Sequence, residues 1–217
     1  MKTYFRIIVI IVFMQFLLIA NIQSQVTDKE GNKYKTVKIG NQEWMAENLN
    51  TEYYSNGDKI PQVQDAKEWS NLTTGAWCYY ENQSSNGVKN GKLYNWYAVN
   101  DPRGLAPEGW HIPKESEWKT LEDNNGGYLT AGKTLKSESG WKDNSNGTNK
   151  SGFNGLPSGF RNANGEYYSI GENAYWWGAD TYGENGAWFH VICNKDDDIA
   201  RESYNKKAGF SVRCLKF

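Results

Sequence analysis

Residues 91–122 read GKLYNWYAVNDPRGLAPEGWHIPKESEWKTLE, and this stretch predicts two short amphipathic helices joined by a bend rich in Pro and Gly. Large side chains recur before Asp101-Pro102 at spacings of three and four residues, which predicts a first helix of about two turns with one apolar stripe. The residues of this stripe are Leu93, Tyr94, Trp96, Tyr97 and Val99.

The second helix is expected to follow Pro113, because proline cannot continue a helix but can introduce one. Trp118 and Leu121 then recur at helical spacing. With Lys114 as the capping residue, Glu117 would supply half of a capping box, since a lysine side chain has no acceptor oxygen.

Strand signals surround this helical stretch. Alternating polarity in residues 34–39, the turn pair Gly40-Asn41 and residues 43–45 predict a β-hairpin near the start. Asn-Gly pairs recur along the chain, and each can supply the positive φ angles of a tight turn. Further strands are predicted at residues 166–170, 174–178, 187–193, 199–204 and 208–215. So many turns between short strands predict a loop-rich α+β domain.

Several motifs carry a family resemblance. GWHIPKESEWKTL resembles the pattern of the Fibrobacter succinogenes major paralogous domain family. Other motifs follow in the order of that family: VTDKEGNKYKTVKIGNQEWMAENLN, GAWCYYENQ, GKLYNWYAVND, SGFNGLPSGFRNANGEYYSIG, AYWWGADTY and KKAGFSVRCLKF. The family is similar to a wider group that includes the formylglycine-generating enzyme and the C-type lectins, through the Pro-x-x-x-Glu-Trp helix start and the closing Gly-Phe-x-x-Arg-Cys strand.

This resemblance implies a C-type-lectin-like fold, in which two short helices pack on a twisted, mainly antiparallel sheet. It also implies that the last strand returns beside the first hairpin. It implies a fold and not an activity, because one fold can carry many functions. A single domain of this type is expected at residues 25–217.

Residues 1–24 are expected to be a signal peptide. Lys2 and Arg6 precede an apolar run at residues 7–20, which is shorter than the roughly 20 residues that span a bilayer. Cleavage after Ser24 would leave a secreted, periplasmic or cell-surface protein with no membrane span. An uncleaved membrane anchor is the alternative.

Composition narrows the range of partners. The net charge is −1 and the Lys and Arg residues are dispersed, so a nucleic-acid partner is not expected. The chain has ten Trp and fourteen Tyr. These rings either fill the core of a domain with little regular structure or form, in part, an exposed platform for a ligand.

Three cysteines allow one disulfide and leave one thiol. A Cys78–Cys214 disulfide would tie the first half of the domain to its last strand, and we favour it over Cys193–Cys214 in an oxidising compartment. Three reduced, buried cysteines are the alternative.

The sequence shows no catalytic motif. His111 and His190 are the two histidines, and no Ser lies in a G-x-S-x-G context. Cys193 and Cys214 could in principle form the reactive pair of a formylglycine-generating enzyme, but the residues around them do not reproduce that motif. We therefore expect no catalytic residues, with such an enzyme as an alternative.

One acidic cluster has metal-binding potential. Asp196, Asp197 and Asp198 could contribute oxygens to a calcium ion, which takes six to eight of them. The sugar-binding triplets of C-type lectins, Glu-Pro-Asn and Gln-Pro-Asp, are missing. A solvated turn is the simpler interpretation.

The second half of the chain contains the best candidates for ligand binding. Alternation along a strand predicts that Trp176 and Trp177 face opposite ways, one in the core and one available to a ligand. The alternative is that both rings lie buried under the long loop. Trp188 on the next strand would add a ring, and Asp180 and Asn185 could bind hydroxyl groups. We expect an exported, non-catalytic binding domain for a glycan or a protein partner. A structural envelope protein without a small ligand would instead bury every tryptophan and have no open concave site.

Overall fold

The computed structural model describes residues 24–217, so the predicted signal peptide lies outside the described residues except for Ser24. The strands in chain order are β1 (Gln25–Thr27), β2 (Lys33–Ile39), β3 (Gln42–Met45), β4 (Trp77–Cys78), β5 (Leu93–Tyr94), β6 (Trp110–His111), β7 (Ser158–Arg161), β8 (Tyr167–Ile170), β9 (Asn173–Tyr182), β10 (Gly186–Cys193), β11 (Ala200–Asn205) and β12 (Leu215–Lys216). The helices are α1 (Ala66–Ser70), α2 (Ser84–Asn90), α3 (Trp96–Val99), α4 (Glu115–Asn124) and α5 (Ala131–Leu135). The fold class is α+β, as predicted, with small antiparallel sheets.

The largest sheet joins the two ends of the described chain. Its strand order is β1-β2-β3-β12-β6. The predicted hairpin is β2–β3, and Gly40 takes a φ of 59° at its turn, which a residue without a Cβ tolerates. Leu215 of β12 pairs with Trp44 on one side and with His111 on the other. The last strand therefore does return beside the first hairpin, but it is only Leu215–Lys216, so the prediction of a strand over residues 208–215 is wrong.

A second sheet has the order β11-β10-β9 and separates two hydrophobic clusters. Trp177 on one face lies 4.3 Å from Phe210 between ring centroids. Trp176 on the other face contacts Phe153 at 5.4 Å and Trp118 of α4 at 6.1 Å. Both faces of this sheet are thus covered in their central part, which buries adjacent side chains that point in opposite directions.

The two helices predicted in residues 91–122 differ in outcome. The second is α4, and Glu117 forms the expected half of a capping box by accepting the backbone N–H of Lys114 at 2.7 Å. The prediction of a first two-turn helix is wrong. Asn95 caps α3 by accepting the backbone N–H of Ala98 at 3.1 Å. The helix starts after this residue and ends at Val99, so it has one turn. The two residues before Asn95 form β5, which pairs with β4.

Four buried cationic side chains hold the long loops in place. Each donates hydrogen bonds to backbone carbonyl groups and lies over an aromatic ring, an arrangement that supplies both hydrogen-bond partners and a cation–π contact to a desolvated charge. The cation–ring pairs are Lys92 over Trp77, Lys136 over Trp141, Arg161 over Trp69 and Arg213 over Phe153. These contacts account for part of the aromatic surplus.

The preferred disulfide is absent: Cys78, Cys193 and Cys214 are all free thiols in the described chain. Cys78 and Cys214 lie in different hydrophobic clusters: Cys78 packs with Trp69 and Leu93, whereas Cys214 belongs to the main cluster. Burial raises the pKa of Cys78 to about 11, so its thiol stays protonated. The alternative of three reduced, buried cysteines fits Cys78 and Cys214, whereas Cys193 is half-buried.

Candidate functional site

The exposure of the tryptophans singles out one residue. All ten lie in the described part of the chain, and Trp188 is half-buried whereas the other nine are buried. The buried nine are Trp44, Trp69, Trp77, Trp96, Trp110, Trp118, Trp141, Trp176 and Trp177. Most of this ring surface is therefore core, and Trp188 is the ring that a ligand can reach.

Trp188 lies on β10 between two other large side chains. The guanidinium carbon of Arg201 is 3.8 Å from the centroid of its ring, and the ring of Tyr182 meets it nearly edge-on at 4.7 Å. Glu115, at the start of α4, approaches Arg201 with its Oε2 atom 3.4 Å from Nε. These four residues, Glu115, Tyr182, Trp188 and Arg201, form what we name the Trp188 surface.

A β-bulge in β9 builds this surface. Thr181 pairs with Ala187 and Trp177 with Phe189, so three residues of β9 lie opposite Trp188 alone. The three bulged residues, Gly178, Ala179 and Asp180, turn toward the helices instead of the sheet. Their hydrogen bonds join the Gly178 carbonyl to Trp96 Nε1 (3.1 Å), the Ala179 N–H to the Pro113 carbonyl (2.9 Å) and the Asp180 carboxylate to the Glu115 N–H (2.7 Å). The bulge thereby holds the first turn of α4 next to Trp188.

His190 is buried next to the Trp188 surface and contacts it through Glu115. Its ring stacks on Trp118 at 4.5 Å, and its Nε2 atom is 3.3 Å from Oε1 of Glu115. Burial lowers the pKa of His190 below its ordinary value, although Glu115 acts in the opposite direction. Glu115 is therefore shared between a buried imidazole and the exposed guanidinium of Arg201.

The Trp188 surface has unused hydrogen-bonding capacity. Within residues 24–217, no protein group forms a hydrogen bond with the indole N–H of Trp188, the hydroxyl of Tyr182 or the guanidinium of Arg201, whose side chain is 46% exposed. Aromatic area with free donors at its edge is the composition found where proteins bind ligands through a few strong contacts.

Of the other four predicted ligand residues, Trp176, Trp177 and Asp180 take part in the packing and hydrogen bonding of the fold. Trp176 and Trp177 do face opposite ways, but the prediction that one is available is wrong, since both are fully buried. Asp180 is half-buried and accepts a hydrogen bond from the first residue of α4. Asn185 is exposed in the β9–β10 turn, where its carbonyl accepts the N–H of Lys206 at 3.0 Å.

The predicted calcium cluster has a different role. The structure does not arrange Asp196, Asp197 and Asp198 as ligands, and residues 24–217 contain no group of three His, Cys, Asp or Glu side chains placed to hold a metal ion. The buried ammonium group of Lys136 instead binds the carbonyl of Asp196 and lies 3.4 Å from the carboxylate of Asp197. A lysine thus supplies the positive charge of this loop.

Sequence reasoning missed three members of the Trp188 surface: Glu115, Tyr182 and Arg201. Arg201 could have been found, because β11 pairs with β10 so that Trp188 faces Ser203, and the residue two positions away lies diagonally on the same face. The same diagonal rule places Tyr182 beside Trp188, because Tyr182 pairs with Gly186, two positions from Trp188. Glu115 comes close to Arg201 through the bulge, for which the sequence carries no clear signal.

The chain belongs to the Fibrobacter succinogenes major domain family, whose model matches residues 37–216. The match begins within β2, and the boundaries of 25 and 217 stay a prediction. No curated protein and no solved structure matches the chain. Among the described residues, every helix is too short or too polar to cross a membrane.

Proposed function

We propose that this protein is an exported, non-catalytic binding domain that recognises a protein partner through the Trp188 surface. The observation that carries the proposal is that one tryptophan of ten escapes the core and lies against an arginine and a tyrosine. Tryptophan, tyrosine and arginine are the residues most enriched where protein interfaces concentrate their binding energy. The alternative of a structural protein without a small ligand predicts that every tryptophan is buried, whereas Trp188 is only half-buried.

A protein partner fits this surface better than a glycan does. Arg201 already covers one face of the Trp188 ring at 3.8 Å, and a sugar needs an open ring face on which to stack. The free groups of Trp188, Tyr182 and Arg201 are mainly donors, which suit backbone carbonyls and carboxylates of a bound segment. The ion pair with Glu115 restricts the side chain of Arg201, which reduces the conformational entropy that Arg201 loses on binding.

Further observations support the proposed fold, the proposed lack of catalysis and the proposed location. The return of β12 between β3 and β6 supports a C-type-lectin-like fold. A packing role for His190, which stacks on Trp118, supports a non-catalytic function. So does the burial of Cys214, since a thiol with a raised pKa is a poor nucleophile. The predicted signal peptide supports an extracytoplasmic location.

The test is site-specific photo-crosslinking in cells that express the protein. A photoreactive residue at Tyr182 is expected to capture one defined protein, whereas the same residue at Val88, which is 90% exposed on α2, is not. Trp188→Ala should weaken binding of the purified partner by about 30-fold, because loss of a hot-spot residue costs about 2 kcal/mol.

Two results would contradict the proposal. One is an identical set of crosslinked proteins from positions 182 and 88. The other is full affinity in Trp188→Ala when its melting temperature equals that of the wild type. A glycan that binds the wild type and is lost with Trp188→Ala would show that the surface takes a sugar instead.

A further inference from the structure

Two exposed tyrosines and a half-buried phenylalanine lie on the other face of the three-stranded sheet from Trp188. Phe160 of β7 pairs across the strands with Tyr168 of β8, and their ring centroids are 5.6 Å apart. Tyr204 of β11 meets Phe160 at 6.0 Å and 84°, so the rings form a corner. Tyr168 is 42% exposed and Tyr204 is 36% exposed. We name Phe160, Tyr168 and Tyr204 the tyrosine patch.

The two hydroxyl groups of the patch are held by polar neighbours. Tyr168 donates to the carboxylate of Glu166, which also accepts from the amide of Asn164 at 2.8 Å. Tyr204 donates to the amide oxygen of Asn162 at 3.1 Å. The rings are therefore oriented before a ligand arrives, which lowers the entropy cost of binding.

The backbone beside Tyr168 is strained. Ser169 has a φ of 62°, which residues other than Gly, Asn and Asp seldom adopt. On the paired strand Gly159 also has a φ of 62°, and a Cβ there would lie 2.5 Å from the Tyr168 carbonyl oxygen. Strain that the structure maintains next to an exposed ring is typical of functional positions.

The polar rim of the patch indicates the chemistry of its ligand. Its side chains are two amides and a carboxylate, and within residues 24–217 no Lys or Arg forms an ion pair with Glu166. Hydrogen bonds from Tyr168 and Asn164 hold the pKa of Glu166 below its ordinary value, so the group is an anion at neutral pH. An anionic ligand would be repelled, whereas hydroxyl groups can donate to Glu166 and exchange hydrogen bonds with the amides.

We propose that the tyrosine patch is a binding site for an uncharged glycan, with a pyranose ring stacked on Tyr168 and held at its edge by Tyr204. Aromatic faces match the apolar faces of a sugar ring, and Glu166 and Asn162 match its hydroxyl groups. A cationic peptide is the competing occupant, since it could pair with Glu166. This site is independent of the protein-binding role proposed for Trp188.

The test is calorimetric titration of the purified protein with neutral hexasaccharides of β-1,4-linked glucose, xylose and mannose, with hexagalacturonate as the charged control. At least one neutral sugar should bind and hexagalacturonate should not. Tyr168→Ala and Tyr204→Ala should each weaken the neutral sugar by about tenfold or more, as expected for loss of a stacking ring in a small site. Tyr128→Ala, which removes a tyrosine ring that is 47% exposed and outside the patch, is the matched control and should bind the sugar as the wild type does.

Folding of the variants is checked by near-ultraviolet circular dichroism and thermal melting. Tyr168→Phe, which keeps the ring and removes the bond to Glu166, is expected to fold and to bind with an intermediate affinity. The proposal is overturned if none of the neutral sugars binds at about 10 mM, a concentration that would detect even millimolar dissociation constants. It is also overturned if folded Tyr168→Ala binds normally, or if a hexalysine peptide binds at this patch in place of the sugars.

Discussion

Arg213 and Arg201 both lie over aromatic rings, the first in the core and the second at the surface. Arg213 is fully buried 4.6 Å from the ring of Phe153, and Arg201 is 46% exposed 3.8 Å from the ring of Trp188. Arg213 donates to the side chain of Asn48 and to the carbonyls of Met45, Phe153 and Asn154. Arg201 has only the ion pair with Glu115 among the described residues.

The difference shows how the same contact serves two purposes. A buried guanidinium must have nearly all its hydrogen bonds made inside the protein, because an unsatisfied buried charge is very costly. Arg213 therefore ties residues 45–48 and 153–154 to the last segment of the chain, and four of its five N–H groups have acceptors within the protein. Arg201 keeps its donors in contact with water at little cost, so they remain available to a partner.

The largest expected effect comes from removing the buried guanidinium. Arg213→Met should lower the free energy of unfolding by about 3–5 kcal/mol, because it leaves several buried acceptors without a donor. Arg201→Met should change it by less than about 1 kcal/mol, as is usual for exposed charges. Urea unfolding followed by tryptophan fluorescence measures both. Equal losses in the two variants would remove the distinction between the two arginines.

A smaller effect is expected at the acidic loop, where Lys136 is another buried cation. Lys136→Met should destabilise the protein by about 1–3 kcal/mol, since the Asp196 carbonyl and Asp197 lose their donor. Calcium or a chelator should shift the melting temperature of the wild type by less than about 1 °C, because an ion that does not bind cannot stabilise. A calcium-dependent rise of several degrees would restore the calcium prediction.

The smallest effect concerns His190. Its ring stacks on Trp118 in the core and approaches Glu115, which also pairs with Arg201 at the surface. Its folded pKa is lowered by burial, so as the pH falls the unfolded chain takes up a proton first, near its ordinary pKa of about 6.5. The contribution of His190 is therefore complete above that pH and is lost below it, until the folded pKa is reached. The slope cannot exceed about 1.4 kcal/mol per pH unit for one proton.

Urea unfolding between pH 5 and pH 8 tests this linkage. His190→Gln should flatten the dependence between pH 5 and pH 6.5, and His111→Gln, the matched control, should retain it. Retention of the full slope in His190→Gln would assign the dependence to another group.

Much of the fold could be predicted from local patterns. Alternation and turn residues located β2, β3, β9, β10 and β11, and helical spacing located α4. The same spacing misled at residues 93–99, because tertiary pairing of β5 with β4 overrode a helical pattern only seven residues long. The Cys78–Cys214 pairing failed because the sequence does not say which hydrophobic cluster each thiol enters.

The candidate site was predictable only in part. Trp188 was among the predicted ligand residues, but Trp176 and Trp177 were not distinguishable from it, since alternation tells which face a residue takes and not what covers that face. α4 and Phe153 cover one ring and Phe210 covers the other. The choice of Trp188 was made by packing.

The sequence by itself determined the family, the α+β class and the positions of the main strands and of α4, because these depend on short-range spacing and turn residues. Only the tertiary structure decided which rings are buried, which cations hold loops and which donors stay free. Those properties depend on contacts between residues far apart in the chain, such as Asn48 with Arg213 and Glu115 with Arg201.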